Sequence, residues 1–325
     1  MNTKFEALKN HIVEENVHTI LIFPHTLPDG DTLGSAIGMY HLIKDFNKTG
    51  YIVLDDDIPS NLLFLFEENK GIVITLEEAK KLKYELIIIV DTGELKLIGD
   101  RTVLMSSEVP TISIDHHITN QEFADLNIIE SEASSTGEIV YKISEYFNLE
   151  LDIFAAQGLY AAIVTDTGSF RYSNTRPYTF EVCKALVEHK FDFNRLNVEI
   201  FQNKSFEKLL LLNKVFDTLS LHFDGKCAIV KLSEVLKRQL VFETYDTDGV
   251  VEYVRDIKGV EVVVFIKHID QCEYKISMRS KNEFDVSRVA VALGGGGHKK
   301  AAGFKAVGSD LEIENAILKM IGESL

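Results

Sequence analysis

A chain of 325 residues is longer than one hydrophobic core ordinarily supports, which predicts two domains. Its 46% hydrophobic and 26% charged content is that of a globular protein and excludes a disordered one. The formal charge of −16 argues against general binding of long nucleic acid, which needs a basic face, and leaves open a small phosphorylated ligand in one local basic pocket.

The three cysteines, Cys183, Cys227 and Cys272, form no C-x-x-C pair, so neither a disulfide framework nor a zinc–thiolate site is expected. The polar first 17 residues lack the order of a signal peptide, and no apolar run approaches the ~20 residues that span a bilayer. The expectation is a cytoplasmic protein with no membrane partner.

Along the chain, short unbroken apolar runs at 19–23, 51–54, 72–74, 86–90 and 111–114 read as parallel strands buried on both faces. Helical spacing between them, as at 33–46, predicts an α/β domain with a mostly parallel sheet and helices on both faces. Residues 135–147, 153–164, 177–189 and 205–219 read as helices, the last as a connector. Strand-like runs at 227–232, 260–267 and 273–279, then helices at 285–293 and 311–320, predict a smaller α+β domain. The division is 1–200, a connector at 201–221, and 222–325.

Ligands of parallel sheets gather at the carboxyl ends of the strands. Polar residues follow the strands there: His25, Asp29 and Asp31, then Asp91, then Asp115, His116 and His117. Carboxylates and imidazoles suit Mn²⁺ or Mg²⁺. Taken singly, the Pro28-Asp29-Gly30-Asp31 turn, Asp91 before Thr92-Gly93, and Asp166 before Thr167-Gly168 read equally as turns or caps. Capping does not account for the adjacent histidines, and the four segments together favour a site. Two ions sharing one carboxylate would activate water and stabilise the leaving oxygen of a phosphate ester.

The series H-x-x-P-D-G-D, V-D-T-G, D-H-H and T-D-T-G-S-F, followed by G-G-G-G-H-K-K-A-A-G at 294–303, resembles that of the DHH phosphoesterases with their DHH-associated second domain. The resemblance runs from about residue 18 to 305. It implies that His25 and Asp29 hold one Mn²⁺, that Asp31, His116 and Asp166 hold the other, and that Asp91 bridges. It implies too that Asp115 orients His116, and that His117 faces the scissile phosphate as hydrogen-bond donor or general acid. In the second domain it points to Arg279 as a phosphate clamp. Gly295, Gly296, Gly297 and His298 lie in a glycine run whose backbone N–H groups can approach a phosphate or base closely. Eight Lys/Arg against four Asp/Glu between Lys267 and Lys305 reverse the sign of the whole chain and fit an anionic ligand.

Within that superfamily the compact layout resembles the bifunctional oligoribonuclease and pAp phosphatase group. The expected substrates are short single-stranded RNA, cut to mononucleotides, and 3′-phosphoadenosine 5′-phosphate (pAp), converted to AMP. The expected cofactors are two Mn²⁺, with Mg²⁺ tolerated, and a homodimer is the expected assembly. Three alternatives stand beside this reading: a soluble phosphodiesterase for pApA or c-di-AMP, a family II-like inorganic pyrophosphatase, and a catalytically silent nucleotide-binding module.

Overall fold

The computed structural model describes residues 2–240, 242 and 246–325, with all of their side chains except those of Lys70 and His298. Contacts divide the chain into two compact units, the first ending at Asn203 and the second beginning at Lys204.

The first unit runs α1 (Asn2–Val13), β1 (Thr19–Phe23), α2 (Gly30–Asp45), β2 (Thr49–Val53), β3 (Val73–Ile74), α3 (Leu76–Ala79) and β4 (Leu86–Val90). A 3₁₀ segment, Leu95–Leu104, then leads to β5 (Thr111–Asp115), β6 (Leu126–Ile129), α4 (Thr136–Tyr146), α5 (Ile153–Asp166), α6 (Pro177–Glu188) and α7 (Phe193–Asn197). The strands form a six-stranded sheet in the order β3-β2-β1-β4-β5-β6, and every pairing is parallel. The chain steps outward from β1 to β3, then returns to lay β4 on the other side of β1. That reversal opens a crevice at the carboxyl ends of β1 and β4.

The unbroken apolar strands have a physical cause. Ile20, Ile22, Ile88 and Val90 pack under the helices with Leu33, Ile37, Leu159 and Ile163. Leu21, Phe23, Ile87 and Ile89 face the other way, onto Leu76, Ala79, Ile98 and Leu104. Successive side chains point to opposite faces, so a strand covered on both sides must be apolar throughout. One covering layer is built of long helices, the other of α3 and the 3₁₀ segment. The sequence reading omits β6, a four-residue edge strand that carries Asn127.

Helices α2 and α5 meet backbone to backbone. A Cβ at Gly34 would lie 2.1 Å from Gly158 O and 2.9 Å from Ala162 Cβ. This contact sets the first turn of α2 beside the last turn of α5. Gly30 belongs to the same seam: its Cβ would fall 2.4 Å from Thr165 Oγ1. Close helix packing, and not a turn conformation, is what requires glycine there.

The second unit contains α8 (Phe206–Phe216), β7 (Ser220–His222), β8 (Cys227–Leu232), α9 (Glu234–Leu240), α10 (Val250–Arg255), β9 (Val262–Asp270) and β10 (Glu273–Ser280). It ends with α11 (Val286–Ala292), β11 (Gly296–His298), β12 (Ala301–Val307) and α12 (Asp310–Gly322). Its sheet has the order β11-β12-β10-β9-β8-β7, parallel at β8/β9 and antiparallel elsewhere. The helix read as a connector is α8, and it lies inside this unit. Leu211, Leu212 and Val215 pack with Ala228, Val230 and Val263, so α8 covers one face of the sheet. Among the described residues no helix is long and apolar enough to cross a membrane.

Candidate metal centre

The loop after β1 carries His25 and ends at Asp29, which caps α2. Asp29 Oδ1 accepts from Asp31 N and Thr32 N, each at 3.1 Å. The same oxygen lies 3.6 Å from His25 Nε2, so capping and a place in the cluster coexist in one carboxylate. His25 Nδ1 lies 2.8 Å from Thr26 O and donates to it, which turns Nε2 toward the carboxylates.

Asp31 is 2% exposed, in the first turn of α2. Its carboxylate accepts from Thr136 N (2.8 Å) and Gly137 N (3.0 Å) at the start of α4, and from Ser35 Oγ (3.1 Å). A helix N-terminus is a natural seat for a buried anion.

Asp91 follows β4 with φ +55°, a left-handed conformation uncommon for a non-glycine residue. Its Oδ1 accepts from Thr136 Oγ1 at 3.0 Å. Its two oxygens face two different groups. Oδ2 is 3.6 Å from His25 Nε2, and Oδ1 is 3.7 Å from His116 Nε2. His116 Nε2 also lies 3.6 Å from Asp31 Oδ2 and 3.8 Å from Asp166 Oδ2, at the end of α5. Ligand atoms of His25, Asp29 and Asp91 gather within 4.8 Å of one another, as do those of Asp31, His116 and Asp166. Asp91, His116 and His117 satisfy the same criterion.

The electrostatics fit a divalent cation. Burial, then the charges of Asp91, Asp166 and Asp29, hold the Asp31 carboxyl well above its ordinary range. Burial likewise lifts Asp166 to about 6, with Asp91 and Asp29 adding to the effect and His116 opposing it. Burial alone would depress His25, but contact with Asp29 and Asp91 outweighs it and raises the imidazole to about 11. Asp31, Asp166 and His25 are thus each pushed toward their protonated forms. A hard cation supplies the compensating charge, and this donor set suits one.

Asp115 differs from its expected role. Its Oδ1 accepts from His117 Nδ1 at 2.7 Å, so the ring it orients is that of His117. Toward His116 it makes only a backbone bond, from His116 N at 2.8 Å. The side chain at the end of β5 reaches the next residue on its own face, two positions on. Asn120 Nδ2 holds the other oxygen, Oδ2, at 2.7 Å. Burial would depress the His117 imidazole, but the Asp115 carboxylate outweighs it and raises the ring to about 9. Reciprocally, His117 overcomes the effect of burial and keeps Asp115 below the usual carboxylate range.

Three further residues of the site escape sequence reasoning: Thr136, Asn120 and Asn174. The last donates through Nδ2 to Asp166 Oδ2 at 3.0 Å. Their residue types are common in turns and caps, and their partners lie in other segments. Ser135 caps α4, its Oγ accepting from Glu138 N at 3.1 Å.

In the second unit the glycine run is not a loop. Gly294, at φ +87°, closes the end of α11, and Gly296–His298 is the edge strand β11. A Cβ at Gly295 would lie 2.2 Å from Gly303 O, and Gly297 has φ +135°. Glycine is thus required by backbone shape and strand packing, while the outer edge of β11 presents backbone polar groups. Arg279 pairs with Ala301, which pairs with His298, so the three share one rung of the sheet. The His298 side chain lies outside the described residues. Arg279 Nη1 donates to Met278 O at 3.0 Å, and its Nε lies 3.8 Å from Glu252 Oε1.

Comparison with known proteins bears on this geometry. Residues 19–163 match the DHH family, N-terminal domain, and residues 226–325 match the DHHA1 domain. A Thermus thermophilus protein named a bifunctional oligoribonuclease and PAP phosphatase is 30% identical over 309 residues, which are 94% of this chain and 90% of that protein. The chain belongs to the DHH family. It is accordingly a metal-dependent phosphoesterase, a hydrolase of phosphoric ester bonds, and the alternative of a catalytically silent module falls away. Another DHH relative, a cyclic-di-AMP phosphodiesterase of Bacillus subtilis, is 30% identical over 306 residues, 90% of this chain but 45% of that longer protein. An exopolyphosphatase-related protein from Bacteroides fragilis shares the fold at TM-score 0.89 and 24% identity, covering 98% of this chain and 96% of its own.

Proposed function

We propose that this DHH phosphoesterase cleaves short oligoribonucleotides to mononucleotides and removes the 3′-phosphate of pAp, using two Mn²⁺. The observation that carries the two-ion part is the orientation of Asp91, one oxygen toward His25 and the other toward His116. In this reading His25, Asp29 and Asp91 hold one ion, and Asp31, His116, Asp166 and Asp91 hold the other. Ions bound there would supply Lewis acidity to phosphate oxygens and lower the pKa of water.

The protein's own groups do the rest. His117, kept protonated by Asp115, donates a proton from Nε2 to the leaving oxygen. Asp115 holds the imidazolium in place and Asn120 holds Asp115, so the donor keeps one orientation through the reaction. Thr136 fixes Asp91, and the start of α4 fixes Asp31, which limits the reorganisation that the reacting phosphate would otherwise demand. In the second unit Arg279 takes a phosphate through its planar fork, and the edge of β11 offers backbone N–H groups to the nucleotide.

The choice of substrate rests on the Thermus relative, similar along nearly the whole of both chains. A second reading, cleavage of c-di-AMP or pApA, is favoured by the equally similar Bacillus phosphodiesterase. Product release by the purified chain with Mn²⁺ separates them, comparing pAp, an RNA 5-mer, pApA, c-di-AMP and pyrophosphate. Fast release from pAp and the 5-mer is expected. Preference for c-di-AMP or pApA would assign the protein to dinucleotide turnover, and cleavage of pyrophosphate alone would overturn the role given to the second unit.

A further inference from the structure

Asp166 sits in an unfavourable place for an anion. It is the last residue of α5, where the helix dipole is negative, and it faces Asp31, Asp91 and Asp29. The side-chain amide of Asn174 hydrogen-bonds its carboxylate. Asn174 Nδ2 lies 3.0 Å from Asp166 Oδ2, 3.2 Å from Asp166 O and 2.8 Å from Ser134 O. All three neighbours are acceptors, so the amide nitrogen must face them; the flipped amide would set oxygen against oxygen. The amide oxygen, Oδ1, is buried without a hydrogen-bond partner. Asn174 is therefore held by what its nitrogen donates.

The backbone between the two residues is built to bring them together. Gly168, Ser169 and Phe170 are successively left-handed, at φ +55°, +59° and +64°. Thr167 Oγ1, buried, accepts from Phe170 N at 3.1 Å and steadies the reversal. Two consecutive non-glycine residues in this region are strained, and such strain persists where the surroundings impose it. Here the reversal returns the chain so that Asn174 reaches the carboxylate eight positions behind it.

We propose that Asn174 is a positioning residue, whose amide holds the Asp166 carboxylate toward Asp31 and His116 so that the three can take a divalent cation. The inference rests on the two-ion reading above. It is tested by Mn²⁺ binding to the full chain, followed through the EPR signal of the free ion, for the wild type, Asn174→Ala, Asn174→Ser, Asp166→Ala and the Asp166→Ala/Asn174→Ala double variant. Removal of a group that orients a ligand typically weakens metal binding about 10–100-fold. Asn174→Ala should weaken one ion by that factor and leave the other within twofold. Asn174→Ser, which keeps one donor, should lose less and guards against a variant that fails to fold. In the Asp166→Ala background Asn174→Ala should add nothing, because the group it orients is gone. With each substrate kcat should fall more than KM rises.

Binding of both ions within twofold of wild type by a cooperatively folded Asn174→Ala protein would overturn the proposal. So would an undiminished loss in the Asp166→Ala background. Failure of the two-ion reading would show separately, as a wild-type chain that binds fewer than two Mn²⁺.

Discussion

Gly34→Ala tests the link between helix packing and the metal centre. In an open helix this change would stabilise by about 1 kcal/mol through helix propensity. Here the new methyl would lie 2.1 Å from Gly158 O and 3.0 Å from Ala162 N, where ordinary contact begins near 3.4 Å. The obstacle is backbone, so no rotamer change relieves it, and α2 and α5 must separate by about 1 Å. Overpacking costs typically about 1–3 kcal/mol, and the high end applies when backbone must move. The net expectation is destabilisation of about 2 kcal/mol, the clash exceeding the propensity gain. The same movement draws Asp31, at the start of α2, from Asp166, at the end of α5. A misplacement of about 1 Å can lower a rate about 100-fold, or about 2.7 kcal/mol in the barrier. Urea unfolding measures the first effect, and kcat/KM on the best wild-type substrate at saturating Mn²⁺ measures the second. A variant with a raised urea midpoint and a kcat/KM within twofold of wild type would refute the reasoning.

Asp91→Ala should abolish turnover at any Mn²⁺ concentration, because both ligand groups lose a shared member; retained activity in a homogeneous sample would remove Asp91 from the centre. Arg279→Ala should chiefly raise KM for nucleotide substrates with kcat nearly kept, and an unchanged KM would exclude the clamp. Chelated protein should melt at lower temperature as pH rises from 6 to 8.5. His25 and His117, raised to about 11 and about 9, contribute stability that is full below pH ~6.5 and fades as pH climbs toward those values. Asp166, raised to about 6, carries a penalty that builds as pH climbs toward that value and is nearly constant above it, so the histidines set the slope. Added Mn²⁺ should flatten the slope, and a melting temperature of the chelated protein that rises over this range would contradict the assigned shifts.

Several features of the site were legible because they are local. The runs at 19–23 and 86–90 could be read as doubly buried strands from apolar continuity alone. In a parallel sheet, the residue after such a strand lies at the ligand edge. That rule places Asp91 and the segments beginning at His25 and Asp115 at the ligand edge from the apolar pattern alone. The weak signals were those that tertiary contact has to supply. The edge strand β6, only four residues long, is too short to announce itself, and the glycine run at 294–297 gives no strand signal until β12 pairs with it. Which histidine Asp115 grips depends on side-chain direction at a strand end, and sequence adjacency misleads there.

Periodicity, residue chemistry and motif order are written in one dimension, and they carry the fold class, the family and the set of candidate metal ligands. Tertiary contacts set which oxygens of Asp91 face which imidazole, why Gly30 and Gly34 must be glycine, and that Thr136, Asn120 and Asn174 hydrogen-bond Asp91, Asp115 and Asp166. Each of these is a distance between atoms on different segments, and such distances exist only once the sheet has closed and α2 has packed against α5.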